Sequence, residues 1–107
     1  MSLVIQANDS DFETEALQSD RLVLVDFSAA WCGPCKKLDP VVHEVATEFD
    51  SKLKVVKVDV DQAPQSAAKF AVLSVPTLLL IKDGDVKDQM VGLISKQDLT
   101  DRIRKVL

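Results

Sequence analysis

The chain has 107 residues, 47% of them hydrophobic, with 13 Lys+Arg against 17 Asp+Glu and a net charge of −4. That length and apolar content suit one ordered domain, residues 1–107, with a packed core. The acidic balance argues against nucleic acid or an anionic membrane as the main partner, since either favours a concentrated basic face and Lys36-Lys37 is only a local pair.

No apolar stretch approaches the roughly 20 residues that span a bilayer. The N-terminus, Met1-Ser2-Leu3-Val4-Ile5-Gln6, lacks a basic n-region and a long apolar h-region, so no secretory signal is visible; the mature part of a processed precursor would read the same. Leu3 to Gln6 reads as a short first strand, and Asn8-Asp9-Ser10 offers cap side chains for a helix with Phe12, Ala16 and Leu17 on one face. Leu22 to Phe27 is apolar on both faces and predicts a central, buried strand. Leu38, Val41, Val42, Val45, Ala46 and Phe49 then fall at helical spacing, with Pro40 expected to kink that helix. Lys54 to Val60 alternates as a strand, and a short helix follows around Gln65 to Phe70. Thr77 to Ile81 is another buried strand, and Lys82-Asp83-Gly84-Asp85 turns it back into Val86 to Val91 as a hairpin. Ser95 caps a last helix with Leu99, Ile103 and Val106 inward. The order βαβαβαββα predicts a layered α/β domain.

Both cysteines lie in Trp31-Cys32-Gly33-Pro34-Cys35, between the central strand and the long helix. Two thiols two residues apart close a small disulfide ring, and they staple no distant loops, so the pair reads as kept for reactivity in a reducing compartment. A helix N-terminus supplies unpaired N–H groups and partial positive charge, which favour the thiolate. Cys32 is therefore expected to point outward and attack a substrate disulfide. Cys35, one turn in, is expected to be more buried and to resolve the mixed disulfide. Gly33 permits the turn, and Pro34 fits the first helical position, which needs no N–H. Asp26 is a carboxylate in an otherwise apolar strand; desolvation raises such a group and makes it a general base or relay for Cys35, unless it simply closes a strand end. Lys57, in the middle of the next strand, is its candidate ionic partner. Pro76 opens a buried strand after Ser74-Val75, either as an ordinary turn or as a cis-proline whose neighbouring backbone pairs with substrate. Trp31 is expected to shield the reactive thiol.

Other chemistries lack ligands. Zinc needs about four, and the chain offers two cysteines and His43, which reads as a surface residue. Covalent haem needs His after the second Cys, where Lys36 stands.

Val25-Asp26-Phe27, Trp31-Cys32-Gly33-Pro34-Cys35-Lys36, Pro40, Lys57-Val58-Asp59, Val75-Pro76-Thr77, Lys82-Asp83-Gly84 and Val91-Gly92 together resemble the thioredoxin family, from Phe12 through the last helix. The resemblance implies the thioredoxin fold, a mixed central β-sheet with helices on both faces. It implies a reductant of protein disulfides with no bound cofactor, using a Cys32–Cys35 disulfide recharged from NADPH or ferredoxin through a separate thioredoxin reductase. Substrates would be protein disulfides such as those of peroxiredoxins, methionine sulfoxide reductases and ribonucleotide reductase. By position, Cys32 attacks, Cys35 resolves, Asp26 transfers the proton beside Lys57, and Pro76 is the cis-proline. Trp31, Gly33, Pro34, Val75, Gly92 and Leu93 would border the substrate surface. A monomer in the cytoplasm is the expectation, with an organelle matrix or stroma equally consistent. Gly33-Pro34 resembles reducing members rather than oxidants or isomerases on the same fold; a binding subunit without turnover is the other alternative. Two residues depart from the family pattern. Ser28 stands where many bacterial members have tryptophan and would loosen packing under the motif. Asp39 stands where relatives carry an apolar or small residue, and either faces solvent or, four residues after Cys35, raises its pKa and slows resolution.

Overall fold

A strand that is apolar on both faces must be covered on both, and Leu22–Ser28 (β2) meets that requirement by sitting at the centre of a five-stranded sheet with all seven residues buried. In the computed structural model, which describes residues 3–107, Leu53–Asp59 (β3) pairs parallel on one side of β2 and Thr77–Lys82 (β4) antiparallel on the other. Val4–Ala7 (β1) extends the sheet beyond β3 and Asp85–Val91 (β5) beyond β4, giving the order β1-β3-β2-β4-β5. This is the mixed sheet expected of the family. The N-terminal reading rests partly on Met1 and Ser2, which lie outside the described residues.

Side chains of β2 alternate between two cores. Leu22 and Leu24 join Leu53, Val55, Leu78 and Leu80 under Gly33–Glu48 (α1) and Lys96–Val106 (α3), which contribute Leu38, Val42, Val45, Leu99 and Ile103. Val23, Val25 and Phe27 join Val56, Val58, Leu79 and Ile81 on the opposite face, covered by Phe12, Ala16, Ala63 and Ala67. Pro64–Lys69 (α2) lies on that second side, where the Phe12, Phe27 and Phe70 rings meet with centroids 5.6 to 6.4 Å apart. Each fully buried Leu, Val, Ile or Phe contributes about 1.5–3 kcal/mol of transfer free energy, so both faces hold β2 firmly. The period of two puts Asp26 and Ser28 on the α1 side, in line with Leu24.

The hairpin forms as expected. Asp83 and Gly84 carry φ of 53° and 81°, a two-residue left-handed loop between the paired Lys82 and Asp85. The first helix does not. Asn8 Oδ1 accepts from the Ser10 N–H and hydroxyl, and Asp11 Oδ1 accepts from the Asn8 N–H, so these side chains close a local turn instead of capping a helix. Only a single π-type turn, Glu13–Leu17, follows before β2. Asp9 serves another element: its carboxylate accepts from the Gln65 and Ser66 N–H groups and the Ser66 hydroxyl at the start of α2. α1 runs through Pro40 as one continuous helix. Among the described residues, no helix is long and apolar enough to cross a membrane.

Candidate functional site

β2 delivers the chain to the C-terminal edge of the sheet, and α1 starts five residues later. Cys32 is the N-cap of α1, in extended conformation at φ −88° and ψ 111°. Its Sγ accepts the backbone N–H of Cys35 at 3.1 Å, the place a cap oxygen usually takes. Pro34 sits in the first turn, where its missing N–H costs nothing. The two cysteines, Cα atoms 5.3 Å apart, form a disulfide. Gly33 keeps an ordinary backbone, and a Cβ added there would meet nothing within 4 Å. The turn itself therefore does not require glycine; what Gly33 leaves is open space over the pair.

Cys32 does not stand out from the surface more than Cys35. Each is only 3% exposed. In the disulfide both cysteines cluster with Ala29, and Val60 and Val75 pack against them. The Val75 carbonyl oxygen is 3.7 Å from Cys32 Sγ. The Val75–Pro76 peptide is cis and Pro76 is buried. Pro76 O accepts the Gly92 N–H at 2.8 Å, and Gly92 holds φ at 90°, a value that favours glycine. The Pro76 and Gly92 loops are thus tied to each other beside the disulfide.

Around this point the surface is apolar. Trp31 is 68% exposed and Leu73 96%, and Leu93 is also exposed. Trp31, Val60, Val72, Leu73, Ser74 and Val75 line a groove of about 120 Å³. The Trp31 indole N–H donates to Asp61 Oδ2 at 2.8 Å, and the ring lines the groove. Val60, Val72 and Leu73 line this groove and Val91 is exposed on β5, and none of these was expected at the substrate surface. Leu73 carried a signal, a large apolar residue in the loop just before Val75-Pro76. Val91 carried another, alternating with the buried Met90 on β5.

Behind the disulfide the site is charged. Asp26 is 1% exposed, and among the described residues its Oδ1 has no hydrogen-bond partner. Burial pushes its pKa from 3.8 up to about 7, against the pull of the Lys57 charge and with a further push from Asp39. Lys57 is the register partner of Asp26 across β2 and β3, yet its ammonium pairs elsewhere. Nζ donates to Asp39 Oδ1 at 2.9 Å and Oδ2 at 3.1 Å, so the expected Lys57–Asp26 pair is replaced by Lys57–Asp39. Asp39, partly buried, is accordingly neither a free solvent-facing group nor an uncompensated negative charge beside Cys35. Ser28, Cys35, Asp39 and Lys57 border a recess of about 230 Å³, and the small Ser28 side chain leaves that space open beneath the motif. His43 is exposed on α1. Among the described residues no cluster of three or more His, Cys, Asp or Glu is placed to hold a metal ion.

The family model described as Thioredoxin matches residues 3–105. Thioredoxin 1 of Nostoc sp. is 46% identical over 107 residues, covering 100% of both chains. The thioredoxin of Haemophilus influenzae is 48% identical over 105 residues, covering 98% of each. That of Rickettsia prowazekii is 43% identical over 103 residues, covering 96% of this chain and 98% of its own.

Proposed function

The chain belongs to the thioredoxin family and is a protein-disulfide oxidoreductase working through its own cysteine pair, and on that premise we propose how its residues divide the reaction. Cys32 of the reduced protein, as thiolate, attacks one sulfur of a substrate disulfide. A mixed disulfide forms, and the other substrate sulfur leaves as thiolate. Cys35 gives its proton to Asp26 and attacks Cys32 Sγ; the mixed disulfide breaks, the second substrate sulfur leaves, and two electrons have passed to the substrate. A separate reductase returns two electrons to the Cys32–Cys35 disulfide.

The observation that carries this division is the Cys35 N–H held on Cys32 Sγ at the N-cap of α1. A donor already aimed at that sulfur stabilises the thiolate form of Cys32. Asp26 suits the proton transfer because a carboxyl raised to about 7 takes and releases a proton near neutral pH. Lys57 tunes that carboxyl from the neighbouring strand. An extended substrate segment docks along Val75 and Pro76, with Trp31, Gly33, Pro34, Gly92 and Leu93 around it; the free space above Gly33 and the exposed apolar rim support this reading. The chain acts as one thioredoxin domain and a monomer, in the cytoplasm or another reducing compartment. Disulfides of peroxiredoxins, methionine sulfoxide reductases and ribonucleotide reductase are the substrates proposed for it.

An insulin-disulfide reduction assay tests the proposal, first with dithiothreitol and then with a thioredoxin reductase fed by NADPH or ferredoxin. Wild type is expected to turn over in the assay, and Cys32→Ser to be inactive. Turnover by Cys32→Ser equal to wild type would overturn the assignment.

A further inference from the structure

Lys57 is the cation that β3 sets beside Asp26, on the same face of the sheet. A lysine next to a buried carboxylate with an unpartnered oxygen ordinarily closes into an ion pair, because an uncompensated buried charge is costly. Here the pair stays open. Both oxygens of Asp39 take the Lys57 ammonium, at 2.9 and 3.1 Å, and Asp26 Oδ1 is left without a partner among the described residues. Asp39 stands one helical turn after Cys35, and Cys35, Asp39 and Lys57 border the same recess. We propose that Asp39 is a positioning residue that captures the Lys57 ammonium, holds it off Asp26 and thereby sets the protonation of that carboxyl. This deepens the reading of Asp26 as proton acceptor for Cys35 and rests on it.

The charges around Asp26 make the capture decisive. The recess where Lys57 meets Asp39 is lined from α1 by Cys35, Lys36 and Asp39, from β3 by Lys57 and Asp59, and from β1 by the neutral Gln6. β4 and α3 present Leu78, Leu80, Leu99 and Ile103, which carry no charge. Asp59 is already engaged, accepting the Asp61 N–H at 2.8 Å. Without Asp39, the unsatisfied anion within the register of Lys57 is Asp26. A carboxylate bound to an ammonium is a weaker base, so Cys35 would lose its proton less readily. The device is specific to a chain with Asp at position 39, and it gives that residue a role through Lys57 rather than through Cys35 directly.

The test is a carboxyl carbon-13 titration of Asp26 in the full-length reduced protein, in wild type, Asp39→Asn, Lys57→Met and the double variant. Asp39→Asn conserves shape at a site a third exposed (33%). It is expected to lower the Asp26 midpoint by about 1–3 pH units, the effect of an opposite charge moving to within contact. In the Lys57→Met background the same substitution is expected to shift it less than half as far. An unmoved or raised midpoint in Asp39→Asn overturns the proposal, and so does an equal shift with and without Lys57. A single-turnover measurement of substrate-thiol release against pH separates the underlying reading. If the Asp26 midpoint moves and the release profile stays in place, the capture stands and Asp26 loses its part as proton acceptor.

Discussion

Replacing Asp26 with Asn removes from the folding equilibrium a pH dependence whose size follows from the structure. Asp26 is 1% exposed, and burial lifts its pKa from 3.8 to about 7. Between those values the unfolded chain releases the proton that the folded chain still holds. The folded state therefore binds more protons, and stability falls as pH rises through the interval. Below 3.8 both states are protonated and nothing is lost; above about 7 both are ionised and the loss is complete. The interval, at about 1.4 kcal/mol per pH unit, amounts to about 4 kcal/mol, a large part of the roughly 5–15 kcal/mol that holds a domain of this size. Asn matches Asp in shape and opens no cavity, so any fixed cost of the buried amide is the same at every pH. Urea unfolding of the oxidised proteins, extrapolated to water at a series of pH values from about 4 to 8.5, reads the difference. Asp26→Asn is expected to gain about 4 kcal/mol on wild type across that range, with the gain levelling off above about 7. A difference that stays flat with pH, or runs the other way, refutes the reasoning. A carboxylate that costs the fold this much is one that stability alone does not explain.

Leu73→Ser removes the most exposed side chain of the apolar rim, at 96%; kcat/KM for a protein disulfide is expected to drop by about tenfold through KM, with thermal stability within about 0.5 kcal/mol of wild type. Leu24→Ala in the centre of β2, fully buried, should cost about 2–5 kcal/mol in urea unfolding. The Asp9 pKa is lowered below 3.8, burial pushing it up but the hydrogen bonds from Ser66 and Gln65 outweighing that. Its contribution is therefore present above 3.8 and lost as pH falls through the lowered value, so the stability gap between wild type and Asp9→Ala should be constant near neutral pH and close in acid. Equilibration with a dithiol buffer should place the Cys32–Cys35 couple near about −270 mV, the reference value for thioredoxin; a result near the roughly −120 mV of an oxidant such as DsbA contradicts a reducing role.

Strands and the long helix were legible because their patterns are local: β2 is apolar on both faces, and α1 repeats Leu38, Val42 and Val45 at helical spacing. The cysteine motif was legible for the same reason, since spacing two thiols on a strand-to-helix turn is a property of adjacent residues. The segment after Asn8 misled because cap side chains serve loops and helices alike. Asn8 and Asp11 bonded to their neighbours, while Asp9 crossed to α2, 56 residues away. Lys57 misled because register alone does not choose between two acceptors: Asp26 lies on the adjacent strand, but Asp39 reaches down from the helix above with both oxygens. The outward Cys32 was expected from its place at the start of the helix, but in the disulfide Cys32 is as buried as Cys35, each 3% exposed. The exposed apolar residues Trp31, Leu73, Val91 and Leu93 are scattered along the chain, and the Gly92 N–H on Pro76 O ties two of the loops that carry them to each other.

The division of labour between the two sulfurs is tested most directly by trapping the mixed disulfide. Reduced Cys35→Ser is mixed with a disulfide-bonded peptide, and the product is read by intact mass and peptide mapping. A stable one-to-one adduct on Cys32 is the predicted result, and in parallel Cys32→Ser should form little adduct. Adduct formation at Cys35 of Cys32→Ser, as fast as at Cys32 of Cys35→Ser, would contradict the assignment of Cys32 as the attacking sulfur.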